Sequence, residues 1–487
     1  MAFMTETPSP ISLRRIALRA TYWIAAATAV CHMLKLGSSL VLTRLLFPEA
    51  FGLVATAGLL SAAVDMCSDL GIVQAIIQHR EGNARRFLDG AWTMRVVRGW
   101  ALGLIIAAVA WPFARFFDEL MLFPIALVTA VGAVLRGFTS PAIFLWERNL
   151  ELNRRMTWEM GSDLFRVAAT IVLTLWLRSV WGLVWGGFTG EVGRLAGSFL
   201  LGRYRPRFSS DTAAMKELFL YGRFILLSSL LGFAASRLDM VMVAKFLGME
   251  RAGVYQIAIT LAMMLTVFFR QLAGQVLFPV LSRRQDDPAA LRSITDRAVS
   301  LTGTVVLPAV ALLAVNADVV PTLLYDPRYA DAAGPFGWFC AAAGLMLLAD
   351  TLNAPLMATG RPHYATIAIV LQLVLVCVAA PMLGRFFGVS GYAAGVALAT
   401  AGSFCAILVP CKRLGFVSVG PALASLAVPT GVAATARALR ELAPSGLIDS
   451  SAGMGVLLLE LGLLAVLWLL NWANLRALLP VRNVKAG

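Results

Sequence analysis

Charged side chains inside long apolar stretches are the residues of this sequence that could do chemistry. The bases are Lys35, Arg95, Arg98, Arg136, Arg166, Arg194, Arg237 and Arg270, and the acids are Asp65, Asp69, Glu191, Asp239, Asp350 and Glu460. A charge at the centre of a membrane costs about 2.5 kcal/mol or more, so it ordinarily faces a partner or an aqueous cavity. Because the bases outnumber the acids, this set favours contact with an anion.

Two of the acids have the spacing of one helix face. Asp65 and Asp69 are four residues apart, so together they need a cation, a proton or a basic partner, and Lys35 is the predicted partner. Glu191 and Arg194 are three apart and can neutralise each other on one helix. The candidates for coupling transport to protons are Asp65, Asp69, Glu191 and Asp239, with structural ion pairing as the alternative.

Apart from Arg95 and Arg98, four of the bases have no acid three or four residues away on the same helix. They are Lys35, Arg136, Arg237 and Arg270. A guanidinium group matches phosphate oxygens with two parallel hydrogen bonds, and lysine supplies a point charge. We predict these four as substrate-binding residues, with ion pairs between helices as the alternative. Arg95 and Arg98 are expected to snorkel toward the cytoplasmic edge.

The elements that must position these charges are transmembrane helices. Of the 487 residues, 59% are hydrophobic and 14% charged, against about 45–50% and 25% in soluble domains. A span of about 20 apolar residues crosses the hydrocarbon, and such runs predict about fourteen spans. If the last two apolar runs, Pro421–Leu439 and Ala452–Trp472, do not span the membrane, the predicted number of spans is twelve. This composition excludes a soluble enzyme.

Metal, disulfide and nucleotide sites are not indicated. The six cysteines include no CxxC spacing, the three histidines have no ligand spacing, and no phosphate-cradling P-loop pattern occurs. We therefore predict no cofactor, no metal and no catalytic residue.

Basic residues concentrate in alternate connections between the predicted spans, as in Arg85-Arg86 and Arg154-Arg155. Such residues mark the cytoplasmic side. The sequence therefore predicts a multi-pass protein of the bacterial inner membrane with both termini in the cytoplasm. The formal charge of +14 is then a topology signal attracted to anionic membrane lipids, and no nucleic-acid partner is expected.

An internal repeat relates two inter-helix turns. Residues Arg44–Gly52 match Lys245–Gly253, 201 positions later, in the basic residue, a leucine, a glutamate and a glycine. Transporters are often built from such repeats. We predict an all-α integral membrane protein with two six-helix bundles in pseudo-twofold arrangement plus two C-terminal helices. The predicted bounds are 1–202 and 225–408 for the bundles, 203–224 for a cytoplasmic linker, and 409–487 for the extra helices and tail.

The linker has its own pattern. It begins with the basic, extended stretch Arg203–Arg207, and Ser209–Arg223 then has the pattern of an amphipathic helix on the membrane face. A simple solvated connector is the alternative.

Several segments together resemble one family. They are Leu42–Gly52, Asp69–Ile77, Asp239–Tyr255, Phe278–Ser282 and Ala358–Pro362. In this order the chain resembles Wzx-type polysaccharide flippases of the multidrug/oligosaccharidyl-lipid/polysaccharide exporter superfamily. The resemblance implies two bundles around a cavity that opens alternately to each side. It also implies an undecaprenyl-pyrophosphate-linked oligosaccharide as cargo, and other polysaccharide-assembly proteins as partners.

Three classes of function therefore compete. A lipid-linked oligosaccharide flippase for lipopolysaccharide, capsule or exopolysaccharide suits the excess of intramembrane bases. A drug/cation antiporter of the same superfamily would favour an acidic cavity. A membrane-embedded polymerase or ligase needs catalytic groups in an external loop, and the longest candidate, Asp318–Gly334, has no readable nucleophile–base pair. The sequence favours the flippase.

Overall fold

Every regular element of the described chain is helical. The structure is a computed structural model that describes residues 30–66, 84–149, 151–202, 204–209, 212–272, 277–418 and 420. We number the helices α1 (30–45), α2 (Pro48–Met66), α3 (Arg85–Phe116), α4 (Leu122–Gly137), α5 (Ala142–Arg148), α6 (Leu152–Leu177), α7 (Val180–Leu201), α8 (Thr212–Leu272), α9 (Phe278–Ser282), α10 (Pro288–Leu301), α11 (Leu307–Val315), α12 (Val319–Leu324), α13 (Ala333–Ala358) and α14 (His363–Arg413). A π-helical turn, Thr302–Val306, joins α10 to α11, and a 3₁₀ turn, Pro327–Ala332, precedes α13.

Long apolar helices confirm the membrane class. Among the described residues, 6 helical stretches are long and apolar enough to cross a membrane. Large apolar side chains lie on their outer surfaces, such as Trp176 at 81% exposed and Leu104 at 66%. Exposed apolar surface of this kind suits contact with lipid rather than water. The thirteenth and fourteenth predicted spans, and Asp69, lie outside the described residues.

Two of the longest helices reverse direction at a glycine. Gly388 in α14 has φ 56° and Gly248 in α8 has φ 87°, a backbone conformation that glycine adopts without steric cost. Beyond Gly388 the chain folds back, so that Gly395 lies against Ala380. The glycine-bearing turn Phe387–Gly391, which the sequence predicts between two apolar spans, therefore contains this break, and α14 is a helical hairpin.

The chain divides into two compact units. The first, here the N-terminal unit, contains the residues up to 46 together with 57–230, and the second, the C-terminal unit, contains 47–56 together with the residues from 231 onward. In the N-terminal unit α3 packs on α4 and α6 packs on α7, and in the C-terminal unit α13 packs on α14.

The two copies of the predicted repeat touch each other within the C-terminal unit. A Cβ added to Gly52 would lie 1.8 Å from the carbonyl oxygen of Met249, and one added to Gly253 would lie 1.8 Å from that of Pro48. Gly52 and Gly253 are 201 positions apart, and so are Pro48 and Met249. Helices approach this closely only where side chains are absent. The repeated turns therefore meet in a symmetric contact at their matching residues.

The start of the linker is fixed to the N-terminal unit. The Tyr204 hydroxyl donates to Asp89 Oδ1 at 2.7 Å, and the backbone N–H of Arg207 donates to the same oxygen at 2.9 Å. Burial and the Asp89 carboxylate raise the pKa of Tyr204. A helix does begin at Thr212, whereas the faces of 212–230, on which the predicted membrane contact depends, lie outside the described side chains.

Candidate functional site

The N-terminal unit gathers charged side chains from four helices into one group. We call it the arginine cluster: Asp65 on α2, Arg95 and Arg98 on α3, Arg136 on α4, and Glu191 on α7. Arg136 stands at its centre, with Nη2 3.1 Å from Asp65 Oδ2 and Nη1 3.6 Å from Glu191 Oε1. Three guanidinium groups face two carboxylates, so the cluster has an excess of positive charge.

The other two arginines of the cluster each donate to a backbone carbonyl oxygen at the end of a neighbouring helix. Arg98 Nη2 donates to the Asp65 carbonyl oxygen at 2.8 Å and lies 3.9 Å from Asp65 Oδ1. Arg95 Nη2 donates to the Arg136 carbonyl oxygen at 3.2 Å, and its guanidinium lies 4.7 Å from the centre of the Phe144 ring. Both side chains are held by protein groups, although snorkelling was expected. Arg98 thus fixes the end of α2, where Asp65 lies, and Arg95 fixes the end of α4, where Arg136 lies.

A second polar site in the same unit is a cavity of about 230 Å³, which we call the Lys35 pocket. It is lined by Cys31, His32 and Lys35 of α1, by Met156, Glu159, Met160 and Asp163 of α6, and by Arg194 of α7. Lys35 Nζ lies 3.2 Å from Asp163 Oδ2, and Arg166 Nη2 lies 3.3 Å from Asp163 Oδ1. Asp163 is therefore a carboxylate shared by two bases.

Helix α7 connects the arginine cluster and the Lys35 pocket. Glu191 faces Arg136 of the cluster, while Arg194, one turn later, lines the pocket with its guanidinium 4.9 Å from the centre of the Trp158 ring. Trp158 Nε1 in turn donates to the Arg194 carbonyl oxygen at 3.2 Å. The aromatic ring thus holds Arg194 by stacking on its face, which leaves the hydrogen-bonding edge of the guanidinium available.

The charged groups of the C-terminal unit are arranged differently. Arg270 Nε of α8 lies 2.7 Å from Asp350 Oδ2 of α13. Asp239 is 5% exposed and accepts a 2.7 Å hydrogen bond from the hydroxyl of Tyr255, which is fully buried. Arg237 is exposed, and no ion pair to it is recorded among the described residues. The Asp239–Tyr255 bond joins the two arms of the α8 hairpin and lies out of reach of a ligand.

Several predicted pairings are corrected by this geometry. Lys35 pairs with Asp163 rather than with the Asp65 group, and Asp65 pairs with Arg136 and Arg98. Glu191 faces Arg136 in place of the expected Arg194. The partners were missed because they come from other helices.

Three predicted substrate-binding bases already have acidic partners from other helices. Lys35 pairs with Asp163, Arg136 with Asp65 and Glu191, and Arg270 with Asp350. This is the alternative that the sequence left open. An anion that reached these bases would compete with a carboxylate of the protein.

Sequence reasoning missed three residues of the Lys35 pocket, namely His32, Glu159 and Asp163. Asp163 lies within an apolar stretch and three residues before Arg166, a spacing that predicts an ion pair on one helix face. That pair does form. The second base that pairs with Asp163 is Lys35, which lies on α1, so this pairing could be found only in the folded chain.

The loop expected to carry any catalytic group folds into short helical turns in the C-terminal unit. Two of its acids are held by bases: Asp326 Oδ1 lies 2.7 Å from Arg328 Nε, and Asp331 pairs with Arg251. Tyr329 is buried against Phe51, with ring centres 6.0 Å apart. The loop therefore packs over the start of α2 and presents the carboxylates of Asp326 and Asp331 as ion pairs.

Comparison with known proteins identifies relatives in polysaccharide synthesis. Residues 41–333 match the family described as polysaccharide biosynthesis protein. The chain is 24% identical over 358 residues to the lipopolysaccharide biosynthesis protein WzxC of Escherichia coli (strain K12), which is 72% of each chain. The resemblance to Wzx-type proteins is thereby confirmed.

Two solved structures share the fold. A lipid II flippase MurJ in an inward closed conformation superposes with a TM-score of 0.71 at 12% identity, over 90% of this chain and 97% of that one. An inward-facing MATE-family multidrug resistance transporter superposes with a TM-score of 0.66 at 16% identity, over 79% and 94%. The fold alone therefore does not separate a lipid flippase from a drug transporter, whereas the sequence match extends over more than half of the residues. This chain belongs to the polysaccharide biosynthesis protein family.

Proposed function

We propose that this protein is a flippase that moves undecaprenyl-pyrophosphate-linked oligosaccharides across the bacterial inner membrane for lipopolysaccharide, capsule or exopolysaccharide synthesis. The observation that carries the proposal is the arginine cluster, where three guanidinium groups face two carboxylates in a membrane-protein fold. Guanidinium groups suit a diphosphate through paired hydrogen bonds. The family and the relative WzxC support a polysaccharide cargo.

The architecture we propose has about fourteen transmembrane helices, that is, two six-helix bundles of about 20 apolar residues per span plus two C-terminal helices. The bundles comprise residues 1–202 and 225–408, the linker 203–224, and the remainder 409–487. The symmetric contact of Gly52 and Gly253 supports a pseudo-twofold relation between repeats.

Both termini are cytoplasmic in this proposal, and reporter fusions after Arg86, Arg155, Arg207 and Arg284 should read cytoplasmic. Fusions after Glu49, Glu119 and Glu250 should read external.

Transport in this proposal is alternating access without a chemical step. The diphosphate binds bases of the N-terminal unit, the glycan occupies an aqueous cavity, and the prenyl chain stays in lipid. Because Lys35 and Arg136 are already paired, phosphate oxygens must replace Asp163, or Asp65 and Glu191, at those bases. An acid that loses its base in a membrane is stabilised by taking up a proton. Asp65 and Glu191 are therefore better placed for coupling than Asp239, which is buried against Tyr255.

Deletion of the gene tests the proposal. The deletion strain should lose surface polysaccharide and accumulate undecaprenyl-linked oligosaccharide on the cytoplasmic side. A plasmid copy with Arg136→Lys should restore more export than one with Arg136→Ala, since lysine keeps the charge and loses the paired hydrogen bonds. Unchanged surface polysaccharide together with new sensitivity to cationic dyes would overturn the flippase and favour the drug antiporter. A polymerase or ligase would instead leave oligosaccharide accumulating on the outer side.

A further inference from the structure

The Lys35 pocket contains an imidazole that the transport proposal does not use. His32 lies three residues before Lys35, so both side chains are on one face of α1 and both line the cavity. At about 230 Å³ the cavity is smaller than the roughly 300–1,000 Å³ of pockets for drug-sized ligands. It can therefore hold a small anionic group such as a diphosphate, with any attached glycan outside it.

The charges around this cavity come from three helices. They are Lys35 on α1, Arg155, Glu159, Asp163 and Arg166 on α6, and Arg194 on α7, with the thiol of Cys31 and the imidazole of His32 as further titratable groups. Glu159 is paired with Arg155 at 3.2 Å, and Asp163 with Lys35 and Arg166. Two bases, Lys35 and Arg194, and two acids line the cavity itself. With Arg155 and Arg166, which pair with those acids, four bases surround two acids before the imidazole is counted. The excess matches an anion with two negative charges.

We propose that His32 takes up a proton when an anion occupies the Lys35 pocket, so that phosphate binding and protonation of this histidine are coupled. The inference rests on the proposed function and adds a site of proton coupling to it. An imidazole titrates near neutral pH. A negative charge within about 4–6 Å shifts such a titration by about one to three pH units in favour of the imidazolium.

The position of Lys35 makes this coupling effective. The Lys35 ammonium group, one turn away, opposes a second positive charge on His32, and Asp163 offsets it only in part because that carboxylate is shared with Arg166. A bound anion neutralises Lys35 and Arg194 and removes that opposition. Since coupling between two ligands is reciprocal, the proton must also strengthen binding of the anion. The pocket should therefore bind phosphate groups more tightly as the pH falls.

Isothermal titration calorimetry of the purified full-length protein in detergent tests this, with inorganic pyrophosphate as the probe. Titrations in buffers of different ionisation enthalpy give the number of protons taken up on binding. Because phosphates themselves titrate near pH 6, the measure is the difference between wild type and His32→Gln. From pH 8 to pH 6 the wild type should gain about tenfold more affinity than the variant, equivalent to one pH unit of coupling.

The control is His363→Gln. His363 is exposed at the start of α14 and stacks on Tyr364 with ring centres 4.2 Å apart. This variant should keep the wild-type proton uptake. His32→Asn provides a second test of the imidazole, in case His32→Gln lowers the melting temperature.

Each other outcome overturns a stated part of the inference. Equal proton uptake by wild type, His32→Gln and His32→Asn excludes His32 as the coupled group, while the flippase proposal stands. Unchanged affinity in both Lys35→Gln and Arg194→Gln, or no pyrophosphate binding by the wild type, excludes the pocket as an anion site. Failure of the flippase itself is seen separately, as unchanged surface polysaccharide in the deletion strain.

Discussion

The arginine cluster of the N-terminal unit and the Asp239–Tyr255 pair of the C-terminal unit use intramembrane charge in opposite ways. In the arginine cluster of the N-terminal unit, Asp65 and Arg136 keep 37% and 35% of their side chains exposed. In the C-terminal unit, Asp239 is 5% exposed and its partner Tyr255 is fully buried. A ligand can reach the first group and not the second. The accessible charges therefore suit binding, whereas the buried pair suits holding helices together.

The difference extends to the balance of charge. The arginine cluster contains more bases than acids, and the Lys35 pocket is surrounded by more bases than acids once Arg155 and Arg166, which pair with its acids, are counted. Helix α7 contributes a side chain to both sites. Among the described residues of the C-terminal unit, Arg270 and Asp350 form a balanced pair between α8 and α13. Anion recognition should accordingly depend on the N-terminal unit, and the following variants test that contrast.

The largest effect is expected from Arg136→Ala. It removes the centre of the arginine cluster and a charge-assisted contact to the cargo of about 1.5–3 kcal/mol, so apparent cargo affinity should fall about ten- to a hundredfold. Arg270→Ala, the matched change in the C-terminal unit, should lower export less. Lipid-linked oligosaccharide retained inside, normalised to membrane protein level, is the measurement. A loss from Arg270→Ala equal to that from Arg136→Ala would contradict the contrast.

Gly52→Ala and Gly253→Ala probe the symmetric contact at the start of α2. Each added methyl group would meet a backbone carbonyl oxygen at 1.8 Å, so the helices must separate, at a cost of about 1–3 kcal/mol. Thermal unfolding in detergent should show lower melting temperatures. Gly58→Ala, on the same helix with open space around it, is the control. Wild-type melting of both variants would mean that the helices tolerate a wider separation.

Tyr255→Phe tests whether the buried pair of the C-terminal unit is structural. The variant leaves the Asp239 carboxyl without its hydroxyl donor, at a cost of about 1–2 kcal/mol. Protein level and melting temperature should fall while export per molecule stays unchanged. Adding Asp239→Leu should recover part of the loss, because replacing both partners with apolar groups removes the unsatisfied acid. Reduced export per molecule at normal protein level would instead give Asp239 a role in transport.

The smallest effect is expected at the linker, from Tyr204→Phe. Losing the hydroxyl that donates to Asp89 should cost about 1 kcal/mol at this partly exposed position. The raised pKa of Tyr204 means that the contact contributes below the pKa of an unfolded tyrosine and is lost only as the pH rises through the higher folded value. Protease cleavage after Arg205 should therefore be faster in the variant than in the wild type. The ratio of the two cleavage rates should not change between pH 6 and 9. Tyr364→Phe, whose ring contact with His363 needs no hydroxyl, serves as the control.

Sequence alone determined the membrane class, the helical class and the resemblance to a family, because hydropathy and turn residues are local properties of the chain. It also located the break at Gly388 and the bases of the membrane interior, since a glycine in a turn and an arginine in an apolar run are visible without a fold. The repeat was found in the same way, from residues 201 positions apart. The symmetric contact of Gly52 and Gly253 then showed that its copies meet.

Only the tertiary structure decided which charge meets which. Arg136 and Asp65 are 71 residues apart in sequence, and Lys35 and Asp163 lie on helices with several others between them. Helical spacing of three or four residues predicts pairs on one helix, as for Arg166 and Asp163. It is silent about pairs between helices, because these depend on how the helices pack and rotate against each other. Because of that packing, Lys35 pairs with Asp163 rather than with the predicted Asp65, and the pocket around His32 forms beside this pair.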